Sequence, residues 1–215
     1  MPEYLHSPME TRTDINVTNK SASFGSLLQW SQWQLLDSIL PTGSLLLPFI
    51  YSGTISPDMQ TWHRLDKILE ATLTNEVGRK ASISQGSALL RVASAVFSEI
   101  PSLKIMRETS LATGSVAFHH APIFGLICGL LGFDCEISQK AYMFITMRDI
   151  ISAATRLNLV GPLGAAVLQH QIALVAEDLS NKWMNRKVED ACQTAPLLDT
   201  VQGCHGYLFS RLFSS

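Results

Sequence analysis

The feature that most constrains the fold is a stretch of 25 residues, 109–133, without a single Asp, Glu, Lys or Arg. A stretch of that length suggests a membrane-spanning helix, because about 20 apolar residues cross a bilayer. His119, His120 and Pro122 interrupt it, however, and the apolar part proper, 123–133, has only 11 residues. We therefore predict a buried helix with Pro122 in its first turn, where the missing N–H of proline costs nothing, and no membrane partner.

Three glycines in this region, Gly125, Gly129 and Gly132, recur at spacings of four and three residues. Residues at these spacings lie on one face of a helix. Because glycine has no side chain, such a face lets a second helix approach closely. The pattern predicts tight helix packing, an interpretation that we prefer to a direct functional role for the glycines.

Apolar residues recur at helical spacing through most of the remaining chain. No stretch of strict alternation is long enough to indicate a sheet, and no repeat period is present. The sequence therefore predicts an all-α, single-domain bundle of about seven to nine helices. The predicted helices lie at about 27–40, 62–73, 87–97, 103–111, 121–131, 137–159, 162–183 and 196–213.

The N-terminal region divides into an arm and a first helix. Residues 1–22 are polar and lack periodicity, so we predict a disordered arm there and a helical domain over 23–215. The apolar stripe of 27–40 predicts a helix that ends at Pro41-Thr42-Gly43. A short apolar piece, 44–51, is expected to follow.

Charge and composition exclude one class of function and favour another. The chain has 16 basic and 18 acidic residues, a net charge of −2, and no run of three Lys or Arg. A nucleic-acid-binding protein normally carries a basic stripe, because neutralising phosphates supplies much of its affinity. Hydrophobic residues make up 47% of the chain, which predicts either a large core or an apolar surface that a partner covers.

The N-terminal sequence has no basic segment followed by an apolar one, so it does not resemble a secretory signal. The four cysteines, Cys128, Cys135, Cys192 and Cys204, have no close-paired spacing such as CxxC. Both observations predict a cytoplasmic protein with reduced thiols.

Recognisable catalytic and nucleotide-binding motifs are absent from the sequence. His119 and His120 are the strongest metal candidates, but adjacent helical residues project about 100° apart, which favours capping or packing roles. Cys204-His205 lacks a matching Cys/His pair nearby. The acidic pairs 177–178 and 189–190 are interpreted as solvated surface.

Two alternative functions remain open at this point. One is an all-helical regulatory protein that binds a hydrophobic ligand in a groove lined by Phe118, Phe124, Phe144 and Met147. The other is a metal-dependent helical enzyme that uses three histidines: His119, His120 and His170.

Three segments together resemble the urease accessory protein F family, most closely its plant members. LLQWSQWQLLDSILPTG (27–43) resembles the family's opening helix. FHHAPIFGLICGLLG (118–132), followed by TRLNLVGPLGA (155–165), is similar to its central helices. QTAPLLDTVQGCHGYLFSRLFSS (193–215) resembles its C-terminal signature. The resemblance extends over about residues 23–215, and the three segments in this order are highly specific.

The resemblance implies an all-helical, dimer-forming protein without enzymatic activity. It implies a scaffold that joins accessory protein D (also called H) and the GTPase accessory protein G, in a complex that carries nickel to apo-urease. No cofactor of the chain itself is expected, since nickel is handled by the complex.

The resemblance also implies that the C-terminus docks on the D/H partner. Arg211 is the first candidate, because a guanidinium binds a carboxylate bidentately and keeps its charge. The alternative is an amphipathic end helix with buried leucines and a solvated Arg211. The neighbouring docking candidates are Gln202, His205, Tyr207, Leu212 and Phe213.

The sequence departs from the family pattern after Gly43. The family continues there with a Gly-Phe-x-x-Ser-x-Gly-Leu-Glu stretch, whereas this chain continues as SLLLPFIYSGTISPDM, which resembles a later part of the family. A few dozen residues are missing. Since each large side chain left exposed forfeits about 1.5–3 kcal/mol, we expect a weakened bundle and a weak or inactive form.

Overall fold

A computed structural model describes residues 39–204, apart from the side chains of Leu198 and Asp199. Within that range all regular elements are helical, which confirms the all-α prediction. Eight α-helices follow a π-helical turn at Thr42–Leu46, and a 3₁₀ turn lies at Val188–Asp190. The helices are α1 Leu47–Ile55, α2 Met59–Thr72, α3 Glu76–Val96, α4 Pro101–Thr113, α5 His120–Leu130, α6 Cys135–Arg156, α7 Pro162–Trp183 and α8 Pro196–Cys204.

None of these helices combines the length and the apolar character that a bilayer span requires. The predicted N-terminal arm and most of the predicted first helix lie outside the described residues.

The prediction that a helix ends at Pro41-Thr42-Gly43 is wrong. The backbone is helical from residue 39 through the π-helical turn and into α1. Pro41 itself has helical angles, φ −61° and ψ −33°. Gly43 fits closely against the bundle, since a Cβ there would lie 3.0 Å from Cδ1 of Trp183. The short piece predicted at 44–51 is therefore part of a continuous helix, with Pro48 in the first turn of α1.

Helices α1 and α5 cross at very short range, as the glycine spacing predicts. A Cβ on Gly125 would lie 2.6 Å from the carbonyl oxygen of Ile50, and one on Gly129 would lie 2.6 Å from that of Thr54. The approach is reciprocal, since a Cβ on Gly53 of α1 would lie 3.2 Å from backbone atoms of α5. Gly132, in contrast, follows α5 with φ +79°, and a Cβ placed on it would meet nothing within 4 Å, so this glycine serves the turn after α5 and not helix packing.

The interior forms two apolar clusters with α5 between them. The larger one unites α1, α6, α7 and one side of α2, and the smaller one unites α2, α3, α4 and the other face of α5. Members of the larger cluster include Leu47, Phe49, Ile50, Leu65, Met143, Met147 and Ile172. Members of the smaller cluster include Trp62, Leu90, Leu103, Ile123 and Leu126.

Side-chain caps fix where three helices begin. Asp58, Asn75 and Asp134 accept hydrogen bonds from the first backbone N–H groups of α2, α3 and α6, groups that have no partner within their helix. Helix α3 therefore starts at Glu76, eleven residues before the position 87 predicted from the apolar pattern. Its first half is held by the cap and by a close approach of Gly86 to α5.

Candidate functional site: a buried polar cluster and the last helix

A strained turn leads into α5, and a buried carboxylate holds it. Asp66, on α2, is fully buried. Its two oxygens accept hydrogen bonds from the backbone N–H groups of Ala117 and His119, at 2.6 and 2.7 Å. Between these two residues Phe118 has a φ of +71°, a conformation that is costly for a bulky side chain. Asp66 thus stabilises the turn that positions the start of α5.

Gly86 supports the same turn from α3. A Cβ at this position would lie 2.2 Å from the carbonyl oxygen of Phe118 and 2.7 Å from the backbone nitrogen of His120. Both contacts are with backbone atoms, which cannot move aside as a flexible side chain can. The close approach of α3 to this turn therefore requires a glycine.

His119 lies at the centre of a polar cluster, which we call the His119 cluster: Asp66, Glu70, Ser82, His119, His120 and Tyr142. The His119 side chain is fully buried. Its Nε2 lies 2.7 Å from Glu70 Oε2, and its Nδ1 lies 3.1 Å from Ser82 Oγ. The other Glu70 oxygen lies 3.7 Å from Arg79 on α3. Both ring nitrogens of His119 are therefore engaged, as a structural role requires.

His120 extends the cluster to α6. Its backbone N–H donates to Ser82 Oγ, and its Nδ1 lies 3.1 Å from the Tyr142 hydroxyl. Burial lowers the pKa of His120, and the charge of Asp149 opposes this shift. Burial likewise raises the pKa of Tyr142. The neutral forms of both groups are favoured, so this contact is a hydrogen bond between uncharged side chains.

The structure does not bring the proposed metal ligands together. His119 is bonded to Glu70 and Ser82 inside the bundle, whereas His170 is exposed on α7. Among residues 39–204, no group of three His, Cys, Asp or Glu side chains is placed to hold a metal ion. In the Cys204-His205 pair, Cys204 is a free, exposed thiol and His205 lies outside the described residues. The hypothesis of a three-histidine metal enzyme is therefore not supported by the geometry.

The proposed ligand groove is also not formed. Phe118 packs against the smaller apolar cluster, whereas Phe124 and Met147 belong with the larger one. Phe144 faces outward on α6 and is 49% exposed. The four side chains thus have different neighbours and do not line one cavity.

An open cleft of about 410 Å³ lies beside the His119 cluster, between α2 and residues 114–117. Its polar walls include Asp66, Lys67 and Glu70. The Asp66 oxygens are already occupied by backbone N–H groups. The Asp66 carboxylate is therefore already committed within the protein and is not free to bind a ligand in this cleft.

The last described helix, α8, rests on the start of α3. Asn75 caps α3 through its side-chain oxygen, and its side-chain nitrogen donates to Gln202 Oε1 at 3.1 Å. Of the residues predicted to dock a partner, Gln202 is the one within the described range. The other five lie outside the described residues: His205, Tyr207, Arg211, Leu212 and Phe213.

Comparison with known proteins identifies the family. The sequence profile of the UreF family matches residues 23–173. A protein named urease accessory protein F from Arabidopsis thaliana is 56% identical, and the alignment covers 96% of this chain and 99% of the relative. The protein of the same name from Oryza sativa subsp. japonica is also 56% identical, with 96% and 92% covered. A UreF-like protein from Schizosaccharomyces pombe is 28% identical over 84% of this chain and 78% of its own length.

The Arabidopsis alignment is longer than this chain. It extends over 241 positions, whereas 96% of this 215-residue chain is about 206 residues, so about 35 aligned positions have no residue of this chain. The profile match and the plant relatives both extend over most of the sequence. This chain belongs to the UreF family of urease accessory proteins.

Proposed function

We propose that this chain acts as a non-enzymatic scaffold in urease maturation. It links accessory protein D/H to the GTPase accessory protein G, in a complex that delivers nickel to apo-urease. The observation that carries the proposal is the similarity to the plant accessory proteins along nearly the whole chain. Nickel is the cargo of the complex, and no residue of this chain is assigned to hold it.

The use of the polar side chains supports a scaffold over an enzyme. The buried Asp66 carboxylate and both ring nitrogens of His119 are committed to internal hydrogen bonds. An enzyme active site needs a nucleophile or a base that can reach a substrate. In the His119 cluster, these groups instead stabilise the junction of α2, α3 and α5.

Exposed apolar side chains support a role in assembly. Several large ones lie on the outer faces of the helices, including Leu163 and Leu174 on α7, which are 79% and 70% exposed. Leu163 and Leu174 are about three helical turns apart, so they lie on one face of α7, and an exposed apolar face is a feature of surfaces that bind partners. It supports the proposed contacts with the accessory partners and with a second copy of this chain, in the cytoplasm.

Docking on the D/H partner is assigned to the C-terminal residues, with Arg211 as the principal anchor. Arg211→Ala is expected to abolish co-purification with that partner, because a small side chain cannot hold a carboxylate. The helical circular dichroism should stay unchanged. Arg91→Ala, at an exposed arginine of α3, is the matched control and should leave co-purification intact. Equal recovery of the partner with both variants would refute the assignment.

The missing segment bears on how active this form is. The alignment positions without a residue of this chain support the proposal that a few dozen residues are absent after Gly43. In the structure the residues that follow this point are well buried, since Leu45, Leu47 and Phe49 are at most 4% exposed. We expect a folded but weak or inactive form. Urease activation by this chain, in a strain lacking its own F protein, would contradict that expectation.

A further inference from the structure

Residues 192–204, which we call the strap, connect the 3₁₀ turn to the end of α8 and take little part in the core. None of the side chains that the structure describes in this segment belongs to either apolar cluster. Leu197 and Val201 are 77% and 60% exposed. Since helices in proteins are stabilised mainly by burying an apolar face, the strap depends on other contacts. Those that the structure describes are hydrogen bonds at its two ends.

Ser44 holds the first end of the strap. Pro48 has no N–H to donate to the carbonyl four residues earlier, which is that of Ser44. The Cys192 N–H donates to this carbonyl instead, at 3.1 Å. The Ser44 hydroxyl donates to the Leu40 carbonyl, so the Thr194 hydroxyl donates to Ser44 Oγ, at 2.9 Å. Ser44 is fully buried, and it supplies both acceptors of this anchor.

Asn75 holds the second end. Its side-chain oxygen caps α3, and its side-chain nitrogen donates to Gln202 Oε1 at 3.1 Å. Gly78 leaves room for the Gln202 side chain, since a Cβ on this glycine would lie 3.4 Å from the Gln202 side-chain oxygen. Asn75 is only 8% exposed. The strap therefore joins the π-helical turn before α1 to the start of α3.

We propose that the strap is a conformational device that opens as one unit, while the rest of the bundle stays folded, and thereby uncovers Ser44 and the Asn75 cap. Segments with few buried apolar contacts open locally, at a lower free energy than global unfolding requires. Because both anchors act on one short segment, the loss of either anchor makes release of the other easier. The opening is a property of the chain alone and does not depend on the scaffold function.

Hydrogen exchange of the full, uncomplexed chain, followed by NMR for each amide, tests this proposal. Thr194→Val removes the hydroxyl of the first anchor at nearly constant size, and it should speed exchange of the Val201 amide, near the other end, roughly fivefold. Gln202→Met removes the acceptor of the second anchor and should speed exchange of the Cys192 amide by a similar factor. The Ile127 amide, in α5, should exchange as in the wild type.

The matched control is Thr200→Val. Thr200 is an exposed threonine of α8 whose hydroxyl donates within the helix, to the Pro196 carbonyl. This variant should leave the exchange of the Cys192 amide unchanged. If it speeds that exchange as much as Gln202→Met does, any weakening of α8 has the same effect, and the anchor role of Gln202 is wrong.

Two results would overturn the proposal as a whole. In the first, Thr194→Val and Gln202→Met each change only the amides next to the substitution, so that the two ends open independently. In the second, the amides of α8 in the wild type exchange as slowly as those of α5, so that the strap opens only when the whole chain unfolds.

Discussion

Replacement of Asp66 by alanine tests how the centre of the bundle is held. The fully buried carboxylate accepts two short hydrogen bonds, from Ala117 N and His119 N. Each charge-assisted bond of this kind contributes about 1.5–3 kcal/mol. Alanine removes both and leaves two N–H groups unpaired next to the strained Phe118, while it also relieves the desolvation of the carboxylate. We expect a net loss of about 3–5 kcal/mol, a large part of the about 5–15 kcal/mol that stabilises a typical domain.

The assay is urea unfolding followed by circular dichroism at equal protein concentration. Asp178→Ala, at an exposed position of α7, is the control and should change the free energy of unfolding by less than about 0.5 kcal/mol. If Asp66→Ala costs less than about 1 kcal/mol, the buried carboxylate does not hold the turn before α5, and the reasoning about the His119 cluster fails.

Two further predictions concern the same region. Gly86→Ala places a Cβ 2.2 Å from the Phe118 carbonyl oxygen, so it should destabilise the chain by about 1–3 kcal/mol. Gly203→Ala, with open space around it, should be neutral or slightly stabilising in the same urea unfolding experiment. Burial lowers the pKa of His120, so the unfolded chain binds a proton more readily than the folded one. The free energy of unfolding should therefore be highest above the unfolded pKa of about 6.5 and fall as the pH is lowered through it. His120→Gln should flatten that dependence in urea titrations between about pH 5.5 and 7.5, and an unchanged slope would contradict the assignment.

Much of the helical architecture follows from local sequence. The apolar spacing of 137–159 and 162–183 predicted α6 and α7 to within a few residues. The glycine spacing in α5 predicted a close helix contact, which α1 supplies. Both patterns report which face of a helix is buried, and that information lies within a few turns of chain.

The errors occur where contacts distant in sequence decide the outcome. Pro41 and Gly43 usually end a helix, but Gly43 packs against Trp183, about 140 positions later in the chain, and the helix continues. The first half of α3 has little apolar periodicity, because it is fixed by the Asn75 cap and by the Gly86 approach to α5.

The His119 cluster shows the same limit at the candidate site. The sequence singled out His119 and favoured a structural role, but its partners Glu70 and Ser82 lie 49 and 37 residues away. No local pattern connects these positions. Asp66 was not predicted either, although an acidic residue within the apolar stripe of α2 is a signal that a buried polar contact exists.

The most direct test of the scaffold proposal is co-expression of this chain with accessory protein D, followed by affinity purification and a size measurement of what elutes. The proposal predicts a soluble, stoichiometric complex, which requires a folded bundle and a working C-terminal docking surface. Recovery of D without this chain, or of aggregate alone, would contradict it. The chain would then share the ancestry of the UreF family without its scaffold activity.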